Sequence, residues 1–167
     1  MAKKVLFIAL GLIIILAGGI FIMMRRSHMM GASSQTSSGG LTAVSANGDK
    51  LPVPASAGSL PENTAAQETG GMLVTLSIDP YPPSGNTPTY FSVSLADAKG
   101  QPVSDANIGL DLTMPSMWMP PNQLDMKAGA AGKYVADGFF TMRGLWRIEV
   151  IITRGGQKQS VLFNVGL

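Results

Sequence analysis

The sequence predicts a mainly β protein, in which one N-terminal transmembrane helix and a flexible linker precede an immunoglobulin-like antiparallel β-sandwich of about seven strands. Three observations carry this prediction. Residues 5–24 are an unbroken apolar run, residues 31–70 are dominated by Gly, Ser, Ala and Thr, and from Gly71 onward apolar and polar residues alternate between turn residues. We therefore expect an anchor with basic flanks in residues 1–30, a linker in 31–70 and a folded domain in 71–167.

The apolar run has the length of a membrane-spanning helix. Its twenty residues would extend about 30 Å at about 1.5 Å each, which matches the hydrocarbon core of a bilayer. Two Lys precede the run, two Arg follow it, and no charged side chain lies inside it. A cleaved signal peptide is the alternative, but its apolar segment has about 7–15 residues and ends near a small-residue cleavage site. We expect an uncleaved anchor that contacts the lipid bilayer through residues 5–24.

The excess of positive charge lies beside this run. Residues 1–30 hold four bases and no acid, residues 31–70 one base and three acids, and residues 71–167 seven of each, which gives +4, −2 and 0. The balanced flanks leave the positive-inside rule undecided, and the free N-terminal amine favours an inside N-terminus with the domain outside the cytoplasm. A neutral domain lacks the basic surface of a nucleic-acid binder, so no nucleic-acid partner is expected.

The linker and the strands differ in pattern. No part of residues 31–70 is apolar or periodic enough to bury a face, which indicates flexible coil. Strands are predicted where apolar residues alternate, at 74–78, 91–95, 108–112, 123–127, 133–140, 146–152 and 161–165. Each has one apolar face, which favours two antiparallel sheets packed together. A small β-barrel is the alternative.

The loop from Met114 to Pro121 is the segment best suited to chemistry. It carries Met114, Met117 and Met119 around Trp118, and its prolines restrict the backbone. In an extended chain the side chains of Met117 and Met119 point the same way, with Trp118 opposite. Thioether sulfur is a soft, neutral ligand that suits Cu(I) far better than zinc, magnesium or iron.

Methionines from other strands extend this candidate site. The predicted Cu(I) ligands are Met114, Met117, Met119 and Met142, and Met126 could join them. The alternative is packing or partner contact, because methionine fills gaps in cores and its sulfur contacts aromatic rings favourably. The lone histidine, His28, precedes two methionines just past the apolar run; it is either a further Cu(I) ligand or an exposed interfacial residue.

Four short motifs occur in a fixed order. They are G-Q-P-V-S-D-A at 100–106, M-P-S-M-W-M-P at 114–120, G-K-Y at 132–134 and M-R-G-L-W at 142–146. In order and spacing they resemble the YtkA-like domain family, related to the membrane-anchored FixH-like proteins that accompany copper-dependent oxidases and cation pumps. The resemblance implies a bacterial, extracytoplasmic, immunoglobulin-like module associated with copper handling. Met114, Met117, Met119, Met142 and Trp146 are the residues that match the family's motifs.

The residue content argues against an enzyme. Residues 71–167 contain neither a His for base catalysis nor a Cys nucleophile, and no Gly-rich phosphate loop opens a helix. Two functions remain: a Cu(I)-binding module for copper handling or delivery, and an accessory subunit that contacts a membrane-protein complex through the Met/Trp loop. Either would be a single-pass protein of the bacterial inner membrane with a periplasmic C-terminal domain and a membrane-protein partner.

Overall fold

The computed structural model describes residues 40–167. The predicted anchor over 5–24, its basic flanks and His28 lie outside the described residues. Within residues 40–167, no helical segment has both the length and the hydropathy that crossing a bilayer requires.

The described chain is a β-sandwich of two five-stranded antiparallel sheets. One sheet has the order β1-β10-β9-β5-β6 and the other β2-β3-β4-β8-β7. The strands are β1 (Thr42–Val44), β2 (Thr64–Thr69), β3 (Met72–Asp79), β4 (Thr89–Asp97), β5 (Asn107–Thr113), β6 (Gln123–Asp125), β7 (Lys127–Ala128), β8 (Lys133–Gly138), β9 (Leu145–Arg154) and β10 (Gln157–Gly166). A single 3₁₀ turn, Ala55–Ala57, is the helical element among these residues. The prediction of a mainly β sandwich is confirmed.

Alternation along each central strand produces the core. In β3 the side chains of Val74, Leu76 and Ile78 are fully buried between the sheets, while Thr75 and Ser77 lie on the outer face. The same period-two pattern holds in β4, β5, β9 and β10. Because a slip of one residue would expose every apolar side chain, this pattern fixes the register of the sheets.

The strand count differs from the prediction at two places. The expected strand over 123–127 is two short strands, β6 and β7, because the chain crosses from one sheet to the other at Met126. β1 and β2 add two strands before Gly71, where none was expected. Six predicted strands are found, of which the one over 133–140 ends at Gly138; one is divided in two and two are added, which gives the ten observed.

The predicted linker therefore ends earlier than residue 70. β1 pairs with β10 and β2 pairs with β3, so each is an edge strand of one sheet. Their sequences contain few large apolar residues, but Ala43, Ala65 and Ala66 are buried beneath neighbouring segments. Small residues bury easily at a sheet edge without giving a local alternation signal. The prediction of flexible coil over 31–70 is therefore wrong for β1 and β2, and residues 31–39 lie outside the described chain.

Three loops lie at one end of the sandwich, called here the loop end. They are residues 80–88, 114–122 and 139–144, which join β3 to β4, β5 to β6 and β8 to β9. The register places them together, because the start of β4 pairs with the end of β8, and the end of β5 pairs with the start of β9. The turns on either side of β7 and between β9 and β10 lie toward the opposite end.

Candidate functional site

The three loops of the loop end contain little charge themselves. The 24 residues of its three loops (9, 9 and 6) contain one charged side chain, that of Arg143, and this side chain is exposed. Three exposed acidic side chains border these loops: Asp79 and Asp137 lie at or next to the adjoining strand ends, and Glu62 lies just before β2.

Met114 lies beneath the loop end rather than on it. A tight turn follows β5, in which the backbone N–H of Met117 donates to the carbonyl of Met114 at 3.2 Å. Met114 continues the inward-facing positions 108, 110 and 112 of β5, so its side chain enters the hydrophobic core, where 6% of the residue remains exposed. Its terminal methyl group packs against Gly144, since a Cβ placed on that glycine would lie only 2.7 Å from it. Met114 thus joins the β5–β6 loop to the β8–β9 loop.

The other loop residues are more accessible. Met117 is 49% exposed and Trp118 is 88% exposed, while Met119 is partly buried and packs against the core. Because the chain turns at residues 115–116, Met117 and Met119 do not share one environment, as an extended chain would have placed them. Trp118 is the most exposed of the large hydrophobic side chains in residues 40–167.

Met142 is exposed on the neighbouring loop, and its backbone is held firmly. Its carbonyl accepts a hydrogen bond from the Nε1–H of Trp146 at 3.0 Å, and the Trp146 ring is fully buried. Phe140 anchors the same loop, because its ring packs edge-on against Trp146 with centroids 5.2 Å apart and its carbonyl accepts from the N–H of Asn86. Met142 itself remains 44% exposed. The loop is therefore fixed while its methionine faces outward.

The structure separates the sequence-predicted ligands into two groups. Met117 and Met142 are half-exposed on adjoining loops, with Met119 partly buried beside them, whereas Met114 is enclosed. Met126 is buried where the chain crosses between sheets, and its N–H donates to the carbonyl of Ile108 near the start of β5, away from the loop end. Tyr134 and Trp146 are core residues.

Sequence reasoning missed two members of this surface. Phe139 is the first residue of the third loop and Leu145 follows its last residue; they are 53% and 49% exposed. The signal in the sequence was the pair Phe139–Phe140, because two consecutive aromatics break alternation and only one of them can enter the core. Phe139 also borders a pocket of about 410 Å³ between β6 and β8, together with Leu124 and Pro88.

The candidate metal donors at the loop end are methionine thioethers. Within residues 40–167 no three His, Cys, Asp or Glu side chains come together as a metal site. The sequence has no Cys, and its one His is at position 28. Thioethers from Met117, Met119 and Met142 are the soft donors that this surface offers, and thioether coordination selects Cu(I). Met114 would have to leave the core to join them.

One titrating group has a clear electrostatic environment, and it lies at the opposite end. The Nε–H of Arg154, next to the β9–β10 turn, lies 2.8 Å from the carboxylate of Asp105. Its hydrogen bond lowers the pKa of Asp105 below the usual 3.8, and both side chains are substantially exposed. This pair therefore leaves the electrostatics of the loop end unchanged.

Comparison with known families gives one match. The sequence model of a family described as YtkA-like matches residues 67–151, just over half of the 167-residue chain. The matched range runs from within β2 to within β9 and includes all three loops of the loop end. Comparison with curated proteins and with solved structures found no match.

Proposed function

The chain belongs to the YtkA-like family, and from this premise we propose that it is a non-catalytic, membrane-tethered module that works by binding through its loop end. The tether is the apolar run over residues 5–24. The module lies on the outer side of the bacterial inner membrane, as an accessory subunit of a membrane-protein complex.

One observation carries the proposal: Trp118 stands 88% exposed at the tip of an uncharged loop. Full burial of an indole side chain removes about 200 Å² from water, which is worth about 5 kcal/mol before the costs of association. Tryptophan is also the residue type most enriched among binding hot spots. Met117, Phe139, Met142 and Leu145, all half-exposed, lie in or next to the loops of the same end, as expected of a contact surface.

The accessory role is tested by co-purification from membranes in mild detergent. The Trp118→Ala chain should lose the co-purifying membrane proteins that the wild-type chain retains. Val135→Ala is the matched control, because Val135 is a half-exposed apolar residue in β8, outside the three loops. Retention of the same proteins by the Trp118→Ala chain would contradict the proposal.

Cu(I) handling is the second candidate, favoured by the exposed Met117 and Met142 on adjoining loops. A Cu(I) titration of the full chain against a chromogenic chelator, under reducing conditions, should show binding near one equivalent. Met117→Leu and Met142→Leu should each weaken it, since leucine keeps the volume but removes the sulfur. Met72→Leu is the control, as Met72 is buried at the start of β3. A wild-type chain that takes no copper would remove this candidate.

A further inference from the structure

We propose that the side of β6 that faces away from β5, called here the free edge, binds an extended segment of a partner protein. The segment adds to the sheet as an antiparallel strand, places a bulky apolar side chain in the neighbouring pocket and carries a basic residue on each side of it. This inference goes beyond the proposed function, because it needs neither the tether nor copper nor Trp118.

The free edge presents backbone groups that have no partner. β6 is the last strand of its sheet and pairs with β5 alone. The N–H of Met126 donates to the carbonyl of Ile108, and the register extends this pattern, so the backbone groups of residues 122, 124 and 126 point toward β5. Because these groups alternate along an antiparallel strand, those of Gln123 and Asp125 point away from β5. Within residues 40–167 no backbone group pairs with them, so this edge is a template for another strand.

A gap beside the free edge leaves room for that strand. The chain crosses to the other sheet at Met126, and β7 then pairs with Tyr134 and Val135 of β8. Residues 136–138 of β8 lie beyond this pairing and contact β4 alone as a sheet neighbour. The pocket of about 410 Å³ lies between this part of β8 and β6. The free edge therefore borders a cavity rather than a packed neighbouring strand.

The pocket suits one large apolar side chain. Leu124 is partly buried, packs against the core and reaches across to Gly138, where a Cβ would lie 2.6 Å from its Cδ1. In an added strand, the residue opposite Leu124 would lie on the same face of the sheet and would direct its side chain into the pocket. The volume is near the lower end of the range of about 300–1,000 Å³ for binding pockets. The rest of the described lining is Asn86, Pro88, Asn122, Asp137 and Phe139.

The charges beside the free edge favour a basic segment. Asp125 is exposed on β6, and Asp137, on the facing strand, is the one charged residue of the described pocket lining. Lys127, the next base along the chain, lies where β7 has already joined the other sheet. Directly opposite residues of paired strands attract when their charges differ and repel when they are alike. Lysine or arginine on each side of the apolar residue therefore matches these carboxylates, and an acidic segment does not.

Binding of a short symmetrical peptide to the full chain in mild detergent tests the inference. The probe is fluorescein-labelled Thr-Lys-Phe-Lys-Thr with an amidated C-terminus, and fluorescence anisotropy measures its affinity. We expect saturable binding with a Kd below about 1 mM. Replacing the central phenylalanine by threonine should weaken binding at least about tenfold, because the pocket is then left unfilled.

N-methylation of the peptide separates strand addition from simple attraction of a basic peptide. In the antiparallel arrangement the two lysines lie opposite Gln123 and Asp125 and exchange backbone hydrogen bonds with them, whereas the phenylalanine N–H points away from β6. Methylation of the second lysine N–H should therefore weaken binding at least about fivefold. The peptide methylated at phenylalanine is the matched control, with the same mass and charge, and should bind like the parent.

Two variants of the chain test the same contact from the other side. Gln123→Pro removes an N–H that points away from β5, which edge strands tolerate, so it should weaken binding while β6 stays paired. Asp125→Asn keeps the backbone and should weaken binding several-fold at low salt and less at high salt. In the wild-type chain, the amide protons of Gln123 and Asp125 should exchange more slowly when the peptide is bound.

Each outcome decides one part of the inference. Equal affinity of the two methylated peptides would overturn strand addition, and equal affinity of the phenylalanine and threonine peptides would overturn the role of the pocket. If the chain without peptide sediments as a dimer and already protects both amides, a second copy occupies the free edge and the partner segment is refuted. The co-purification test with Trp118→Ala is independent of these results, so the loop-end proposal and this one can fail separately.

Discussion

Gly144 and Met114 provide the sharpest test of how the loop end is built. Gly144 has φ +137°, a conformation that other residues rarely adopt, and a Cβ there would lie 2.7 Å from the Met114 terminal methyl. Gly144→Ala should cost about 1–3 kcal/mol for the backbone and up to about 1 kcal/mol more for displacing the methionine. The steric part is small because the clashing atom ends a flexible side chain.

The steric part can be isolated by a double-mutant cycle. Met114→Ala alone should cost about 2–4 kcal/mol, because it leaves a cavity in the core. Combined with Gly144→Ala it removes the clash, so the double mutant should be about 1 kcal/mol more stable than the sum of the two costs predicts.

Urea unfolding of the full chain in mild detergent, followed by emission of the buried Trp146, measures all three variants. If the loss of stability in the double mutant equals the sum of the two single losses to within about 0.3 kcal/mol, the contact between Met114 and Gly144 is refuted. They would also reopen the possibility that the Met114 thioether faces outward, among the other methionines of the loop end.

Three further predictions concern the fold around this surface. Tyr134→Phe removes a buried hydroxyl that accepts one backbone hydrogen bond and donates another, so urea unfolding should show a loss of about 1–3 kcal/mol, and unchanged stability would contradict the bonding scheme. Gly132→Ala should lower the free energy of unfolding by about 2 kcal/mol more than Gly156→Ala in the same assay. Both glycines have positive φ, but only at Gly132 would a Cβ meet backbone atoms within 3 Å. Equal losses would show that this close approach is absent. Arg154→Gln should raise the pKa of Asp105 in an NMR titration, because the hydrogen bond from Arg154 is what lowers it. The pairing stabilises the fold above the unfolded-state pKa of Asp105, and that stabilisation is lost as the pH falls through the lower folded-state pKa. An unchanged pKa would refute the pairing.

The central strands were predictable because their burial is encoded locally. In β3, β4, β5, β9 and β10 each apolar residue faces the opposite sheet, so alternation alone reveals the strand. β2 reads Thr-Ala-Ala-Gln-Glu-Thr and carries no such signal. Its place is set by pairing with β3, which is a tertiary effect that a local pattern does not contain.

The candidate site was predictable as a segment but not as a geometry. The methionine loop stands out by composition, and Met114 is enclosed because it continues the inward face of β5, whereas the turn after it ends that pattern for Met117 and Met119. The side chain of Trp118 was expected to point away from that of Met117, as in an extended strand. Both side chains are exposed, because the loop has left the sheet at this point and strand alternation no longer applies. Phe139 and Leu145 became visible only once the register brought the three loops together.

Hydroxyl-radical footprinting of the full chain in its native membranes tests the central claim most directly, namely that the loop end is the working surface. Compared with the detergent-purified protein, Met117, Trp118 and Met142 should be protected in the membrane, while Val135 on the outer sheet face should keep its reactivity. Equal reactivity of the three loop residues in both states would contradict the claim.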